Sequence, residues 1–155
     1  MTYTYIDYMP DFETIIDSWL DEDAAYYTGF EDGFAVYYNY WAKDPNTVLG
    51  ENFWMKIILE NSVPIGVVVL SLADDTVDFL ELLIDPTKRG QGIGTAVIGD
   101  VLKNSKDILG RVIDRAEACI YPSNVPSQKA FEKAGFQFDH THPDGDIWYY
   151  TYKAK

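Results

Sequence analysis

Residues 85–102 read DPTKRGQGIGTAVIGDVL, and this stretch decides how the rest of the chain is understood. It follows FLELLI (79–84), an apolar run broken by one acid, Glu81, which predicts a strand. Asp85 and Pro86 end that strand, because proline cannot donate to a ladder. Gly90, Gly92 and Gly94 then stand at alternate positions, and Ile93, Val97 and Val101, with Ile98 and Leu102 alongside, form the apolar stripe of a helix. Strand, glycine loop and helix together suit an anion. Glycines let backbone N–H groups approach a phosphate, and the unpaired amides of the first helical turn add their dipole. Lys88 and Arg89 stand beside the loop, two of only twelve basic residues in a chain of net charge -13.

The loop does not match the commonest phosphate motifs. A P-loop requires lysine and then Ser or Thr after its last glycine, whereas Thr95 follows Gly94 directly. A dinucleotide fingerprint read from Gly90 meets Thr95 where glycine is required, and read from Gly92 it meets Val97. The segment instead resembles the acyl-CoA pyrophosphate loop of the GNAT acetyltransferases: arginine or glutamine, two residues, glycine, one residue, then glycine or alanine. Arg89, Gly92 and Gly94 fill that pattern.

At 155 residues the chain is the length of one domain, 1–155, and 47% hydrophobic residues suit a packed core. Acids outnumber bases 25 to 12, which argues against nucleic acid or an anionic membrane as partner. Residues 1–50 carry ten acids and one base, Lys43, a field suited to a cationic substrate as well as to a solvated surface. Cys119 is the single cysteine, so an intrachain disulfide is excluded, and its strand-like context predicts a packing role. With only His140 and His142, no metal site is expected. The start MTYTYIDYMP lacks signal-peptide character, and no apolar run approaches the roughly 20 residues of a membrane span, so a cytoplasmic location is expected.

In chain order, the pattern predicts a strand over 2–8, then a helix opened by Pro10 and Asp11 with Phe12, Ile15, Ile16, Trp19 and Leu20 on its apolar face. Residues 21–23 read as its solvated exit. Residues 26–41 are crowded with aromatics, and Phe30, Phe34, Tyr37, Tyr38 and Trp41 fit one side of a second helix. Those rings suit a core or a homodimer face, while Tyr27, Glu31 and Asp32 are candidates for receiving an amine. Strands over 53–60 and 65–72 form a hairpin, and a further turn at 73–75 leads into the strand ending at Ile84. After the glycine-loop helix, 103–110 is polar and ends at Gly110. The strand over 115–121 is expected parallel to the one before the loop, because a crossover helix joins them. A helix opened by Asn124 runs to Ala134, and a last hairpin spans 136–152 around Pro143 to Asp146.

The segment NVPSQKAFEKAGF, 124–136, is similar to the second recurring GNAT motif at Asn124, Ser127, Phe131, Glu132, Lys133, Gly135 and Phe136. Its distance from the glycine loop and the order of elements between them also match. The resemblance covers about residues 53–152. The stretch 116–136 is similar to both aminoglycoside 6'-N-acetyltransferases and ribosomal-protein N-terminal acetyltransferases, and the Pro-Asp-Gly turn before Ile147, Trp148 and Tyr149 favours the first branch.

The resemblance implies a mixed α/β fold of the GNAT acyl-CoA N-acyltransferase type, with a mostly antiparallel sheet and one parallel pair splayed at its C-terminal end. It implies acetyl-CoA as donor without a metal, a small cationic or peptide amine as acceptor, and direct attack in a ternary complex. It further implies that Leu83 and Ile84 present main-chain groups to the pantetheine arm, that Lys88, Arg89, Gly90, Gln91, Gly92, Ile93, Gly94 and Thr95 hold the pyrophosphate, and that Asn124, Ser127 and Phe131 line the cofactor. Asn124 also suits an ordinary helix cap. Glu81 is the candidate general base, taken to share a sheet face with Phe79 and Leu83 by alternation. The usual tyrosine acid is replaced by Phe131, which has no proton to give, so Ser127 is the candidate acid with Tyr121 in reserve. The same departure leaves an alternative, a weakly active or inactive acyl-CoA-binding module serving as a sensor or protein partner.

Overall fold

The computed structural model describes residues 3–154; Thr2, the first residue of the predicted opening strand, lies outside them. Seven strands form one sheet in the order β1-β2-β3-β4-β5-β7-β6. They are β1 (Tyr3–Asp7), β2 (Phe53–Glu60), β3 (Val63–Ala73), β4 (Thr76–Ile84), β5 (Arg115–Ile120), β6 (Gln137–Thr141) and β7 (Trp148–Lys153). Every neighbouring pair is antiparallel except β4 and β5. That parallel pair is joined through α4 (Ile93–Lys103) and α5 (Ser105–Leu109), as a crossover requires. This is the mixed, mostly antiparallel sheet that the sequence predicts.

Helices cover the two faces unequally. α4, α5 and α6 (Val125–Lys133) pack Val97, Ile98, Val101, Leu109 and Phe131 onto one face, against Val68, Val77, Phe79, Ala118 and Tyr150. On the other face, α1 (Glu13–Ser18), α2 (Glu22–Tyr27) and α3 (Phe34–Ala42) pack Ile16, Ala24, Phe34 and Tyr37 over Phe53, Ile57, Val67, Val69 and Leu83. This second cluster takes nothing from β5, β6 or β7, so the face carrying Glu117, Cys119 and Tyr149 is left without a helical cover. Among the described residues no helix is long and apolar enough to cross a membrane.

The N-terminal third departs from the predicted pattern in ways that matter for the site. The first helix begins as a 3₁₀ turn over Pro10–Phe12 before α1. Residues 21–23 are exposed, as predicted, but Asp21 also starts the next helix: its Oδ1 accepts from the Ala24 N–H at 2.8 Å and caps α2. The aromatic stretch is broken at residues 28–33, and α3 starts only at Phe34, after Gly33 at φ +96° and with Asp17 Oδ1 accepting from the Phe34 N–H. Phe30 thus lies outside the helix, yet is fully buried, which stabilises the turn by about 2–3 kcal/mol.

One correction concerns Glu81 directly. The β3–β4 register slips between Val69 and Leu70, so that Val69 pairs with Glu81 and Leu70 with Phe79. Leu80 is the extra residue of a bulge. Phe79 therefore belongs to the first cluster and Leu83 to the second, and the predicted alternation of Phe79, Glu81 and Leu83 on one face does not hold. Glu81 emerges instead beside the 28–33 turn and α3.

Candidate active site

β4 and β5 pair from Thr76 with Arg115 to Phe79 with Ala118 and no further, although β4 continues to Ile84 and β5 to Ile120. Beyond the bulge, residues 80–84 have β3 on one side and no strand on the other. A groove of about 700 Å³ opens along this edge, lined by Leu82, Leu83, Ile84 and the glycine loop on one wall and by α6 on the other. α4 begins after Gly92, at φ +76°, with no side-chain cap on its first turn. A second, smaller cavity of about 80 Å³ continues through the gap between the strands, and Tyr27, Thr28, Leu82, Asn124 and Ser127 line both.

The groove gathers four of the twelve basic residues of an acidic chain. Lys88, Arg89, Lys129 and Lys133 all line it. Arg89 Nη1 lies 2.7 Å from Asp21 Oδ2, and Lys88 Nζ lies 3.3 Å from Glu60 Oε1, both half-exposed pairs. Asp21 titrates below the usual carboxylate range, because it accepts from the Ala24 amide and from Arg89. An uncapped helix start, a glycine turn and four cations fit a polyphosphate such as that of coenzyme A. Asn124 Oδ1 accepts from the Ser127 N–H at 3.4 Å, so Asn124 is the cap of α6 as well as part of the groove wall.

Glu81 lies in the smaller cavity with Cys119, Tyr121 and Phe131. Its Oε2 accepts from the Gly29 N–H at 2.9 Å, and the Tyr37 side chain approaches the same carboxylate from across Gly29. Burial pushes Glu81 up to about 7, with Asp78 adding to the rise and the two donors opposing it. Asp78, opposite Glu117 in the β4–β5 register, is pushed up to about 6 by burial and by that neighbour. Cys119 is exposed, a correction to its predicted packing role that follows from the uncovered face of β5. Desolvation where it meets the wall of the smaller cavity, and then Asp78 and Glu117, raise its thiol above the usual range, so it stays protonated and a poor nucleophile at neutral pH.

The structure brings most of the predicted residues to the two cavities. Leu83, Ile84, Lys88, Arg89, Gly90, Gly92, Ile93, Gly94 and Thr95 line the groove, whereas Gln91 is exposed and does not. Ser127, Asn124 and Tyr27 face both cavities, and Tyr27 donates to Ser123 Oγ at 2.9 Å. Tyr121 lines the smaller cavity and packs against Tyr26 and Tyr27. Phe131 forms part of that cavity's wall but is otherwise core, with ring centroids 5.5 Å from Phe79 and 4.9 Å from Phe136.

Glu31 and Asp32 are exposed and line neither cavity, because burying Phe30 turns the flanking acids outward. Gly29, Asp78, Glu117 and Lys129 escaped sequence reasoning, while Tyr37 entered it only as one ring of a helix face and Lys133 only as a motif position. The lysine pair, four apart on a helix, was the one readable signal. His142, Asp144 and Asp146 bring ligand atoms within 4.8 Å of one another in the β6–β7 turn, and they line neither cavity.

Residues 3–136 match the model of the acetyltransferase (GNAT) family. No curated protein sequence matches the chain. Several solved structures share the fold. The aminoglycoside acetyltransferase AAC(6')-Ib, in complex with ribostamycin and coenzyme A, aligns over 99% of this chain and 94% of its own, with 19% identity and a TM-score of 0.75. Spermidine N-acetyltransferase from Vibrio cholerae, in complex with CoA and spermine, aligns over 98% and 95%, with 15% identity and a TM-score of 0.74. A domain from Methanocaldococcus jannaschii aligns over 97% of both chains with 22% identity and a TM-score of 0.75.

Proposed function

Since the chain is an acetyltransferase of the GNAT family, we propose that it moves the acetyl group of acetyl-CoA onto a primary amine of a small cationic molecule, aminoglycoside-like or polyamine-like, or onto a peptide amine. The observation carrying this reading is the position of Glu81, whose carboxylate stands in a cavity that opens into the cation-lined groove through the gap between β4 and β5. The relatives bound to ribostamycin and to spermine support an amine-bearing acceptor.

Bound acetyl-CoA would supply a thioester acetyl group at the strand gap. Arg89, Lys88 and the amides of the glycine loop would hold its pyrophosphate, with Lys129 and Lys133 on the facing wall. The unpaired edge over 80–84 offers main-chain groups to an extended arm, and N–H groups near Leu83 would polarise the carbonyl. Glu81 takes the proton from the acceptor ammonium, directly or through water, so that a neutral amine attacks. A group with its proton affinity centred near pH 7 suits that task better than an ordinary glutamate. Ser127, which faces both cavities, would protonate the departing thiolate, and Tyr121, one of the further hydroxyls that line the smaller cavity, is the reserve.

A second reading, a CoA-binding module with little or no catalysis, is favoured by Phe131, whose ring lies in the aromatic core without a proton to donate. Thiol release from acetyl-CoA with a panel of polyamines, aminoglycosides and peptide amines separates the two. Turnover on an amine, lowered by about 10²-fold or more in Glu81→Gln, is expected for the enzyme. Saturable CoA binding with no turnover across the panel would establish the module instead.

A further inference from the structure

Glycine at position 29 is required by space. Its φ lies outside the left-handed region, but a Cβ there would stand 2.8 Å from Glu81 Oε2 and 2.8 and 3.0 Å from two carbons of the Tyr37 ring. No side chain fits between those neighbours unless one of them moves. The missing Cβ lets the backbone N–H come within 2.9 Å of the carboxylate.

Tyr37 meets the same carboxylate from α3. It is 9% exposed and held among rings, with Phe30 at 4.7 Å and 87°, Phe34 at 6.0 Å and Trp41 at 6.3 Å. A buried phenol needs partners for its hydroxyl. The polar groups that bear on that hydroxyl here are Trp41, ring centroid 6.3 Å away, and Glu81, whose carboxylate lies just across Gly29 from the ring. The aromatic crowding that reads as core in the sequence therefore also aims one polar atom at the candidate base.

We propose that Gly29 and Tyr37 are positioning residues for Glu81, a two-donor clamp that holds the carboxylate facing the acceptor cavity. The proposal rests on Glu81 acting as the base.

The groups around Glu81 leave this clamp as its main counterweight. Asp78 on its own strand carries like charge, and Cys119, Tyr121 and Tyr27 from the facing elements are the other titratable groups of the cavity. Among the described residues no lysine or arginine pairs with Glu81. Two neutral donors hold the ionised carboxylate and lower its basicity less than a paired cation would, while taking away its freedom to turn. Removing either donor raises the carboxyl's proton affinity, so the basic form appears only at higher pH.

The test is a carbon-13 titration of the Glu81 carboxyl, assigned with Glu81→Gln, in wild type, Tyr37→Phe and Gly29→Ala. It is read beside the pH dependence of kcat/KM with the best amine of the panel. In Tyr37→Phe the titration midpoint and the acidic limb should both move up by about one pH unit. At pH 7, kcat/KM should fall about fivefold, the matching loss of basic form from about one half to about one tenth, with CoA affinity unchanged because Tyr37 lies outside the groove. Gly29→Ala should move both in the same direction and lower the rate further, because its methyl displaces the carboxylate. A merely structural role would lower stability and leave the midpoint in place.

An unmoved midpoint in a folded Tyr37→Phe protein would overturn the clamp. A moved midpoint with an unchanged rate would remove its role in catalysis. Should Tyr37→Phe not fold, the midpoint in Gly29→Ala decides. Wild-type turnover in Glu81→Gln would instead defeat the assignment of the base, an outcome that the carboxyl titration keeps apart from the clamp.

Discussion

Replacing Glu81 by glutamine should inactivate the protein and stabilise it, and the stabilisation should depend on pH in a calculable way. Burial raises the carboxyl from its ordinary 4.5 to about 7. The folded state therefore binds a proton more tightly than the unfolded chain. Stability linked to this group is fully present below pH 4.5 and is lost as pH rises through about 7. The gap corresponds to roughly 3 kcal/mol at about 1.4 kcal/mol per pH unit, and solvent reaching the side chain through the cleft reduces it to about 2 kcal/mol. Glutamine keeps the shape and one acceptor for the Gly29 or Tyr37 donor but never becomes a buried charge. Urea unfolding of both proteins at intervals from pH 4.5 to 8.5 reads the difference directly. The variant should gain on wild type across that window and level off above pH 8. Removing Glu81 also relieves Asp78 of a like charge, which adds to the gain in the same direction. A stability difference that stays flat with pH would refute the argument, because it would mean that Glu81 titrates alike in the folded and unfolded chains.

The remaining predictions concern the cofactor groove and the acceptor. Arg89→Ala should weaken CoA binding by about 1–2 kcal/mol, the scale of a charge-assisted hydrogen bond, with the fold retained, and calorimetric titration checks it. Asp21→Asn keeps an oxygen to cap α2 but frees Arg89 of its carboxylate, so CoA affinity should rise by about 2- to 5-fold in the same titration, an increase that salt diminishes. Ser127→Ala should lower kcat while leaving CoA affinity nearly intact, and steady-state kinetics with normal turnover would pass the acid role to Tyr121 or solvent. For a cationic acceptor KM should climb with ionic strength, and a KM indifferent to salt would detach the acidic face from substrate capture.

Much of the fold and half of the site were legible because their signals are local. The glycine alternation, the proline before it and the apolar stripe after it require neighbours only a few residues away. α4 accordingly starts at Ile93, and Arg89, Gly92 and Gly94 come together at the groove. Asn124 as cap and wall was readable for the same reason. What was not legible depends on pairing across the chain. A bulge is the difference between two registers, and FLELLI by itself alternates as any regular strand would; only β3 pairing with Glu81 and then with Phe79 shows that Leu80 is the extra residue. Asp78 meets Glu117 only through a parallel register. Tyr37 was one ring among eight, and nothing in its own neighbourhood marks it as the one whose hydroxyl meets an acid. The acids at 31 and 32 read as amine contacts from their proximity to those rings, whereas the fact that sets their position is Phe30 going inward, which leaves both exposed and outside the two cavities.

The distribution of charge follows the same logic and bears on the order of events. Four of the chain's twelve bases line the groove, while Asp78, Glu81 and Glu117 stand around the gap or on the uncovered face beyond it. On the proposed reading, a polyphosphate is repelled from one side of the sheet and held on the other, and an ammonium experiences the reverse. The two substrates are thereby drawn to opposite ends of the same strand gap. Attraction alone would trap the acceptor in its protonated, unreactive form. A glutamate with an ordinary acidity of 4.5 would worsen that, being too weak a base to accept a proton from an amine. Burial at the bulge resolves it by raising the carboxyl to about 7, where it can take that proton and release it to solvent within a turnover. The bulge, the missing helix over β5 and the glycine at 29 are thus connected: together they create a half-buried carboxylate with neutral donors and, among the described residues, no cation paired with it. Adding a cation there, as in Leu80→Lys or Cys119→Lys, should return the acidic limb of kcat/KM toward the ordinary glutamate range and slow turnover at neutral pH.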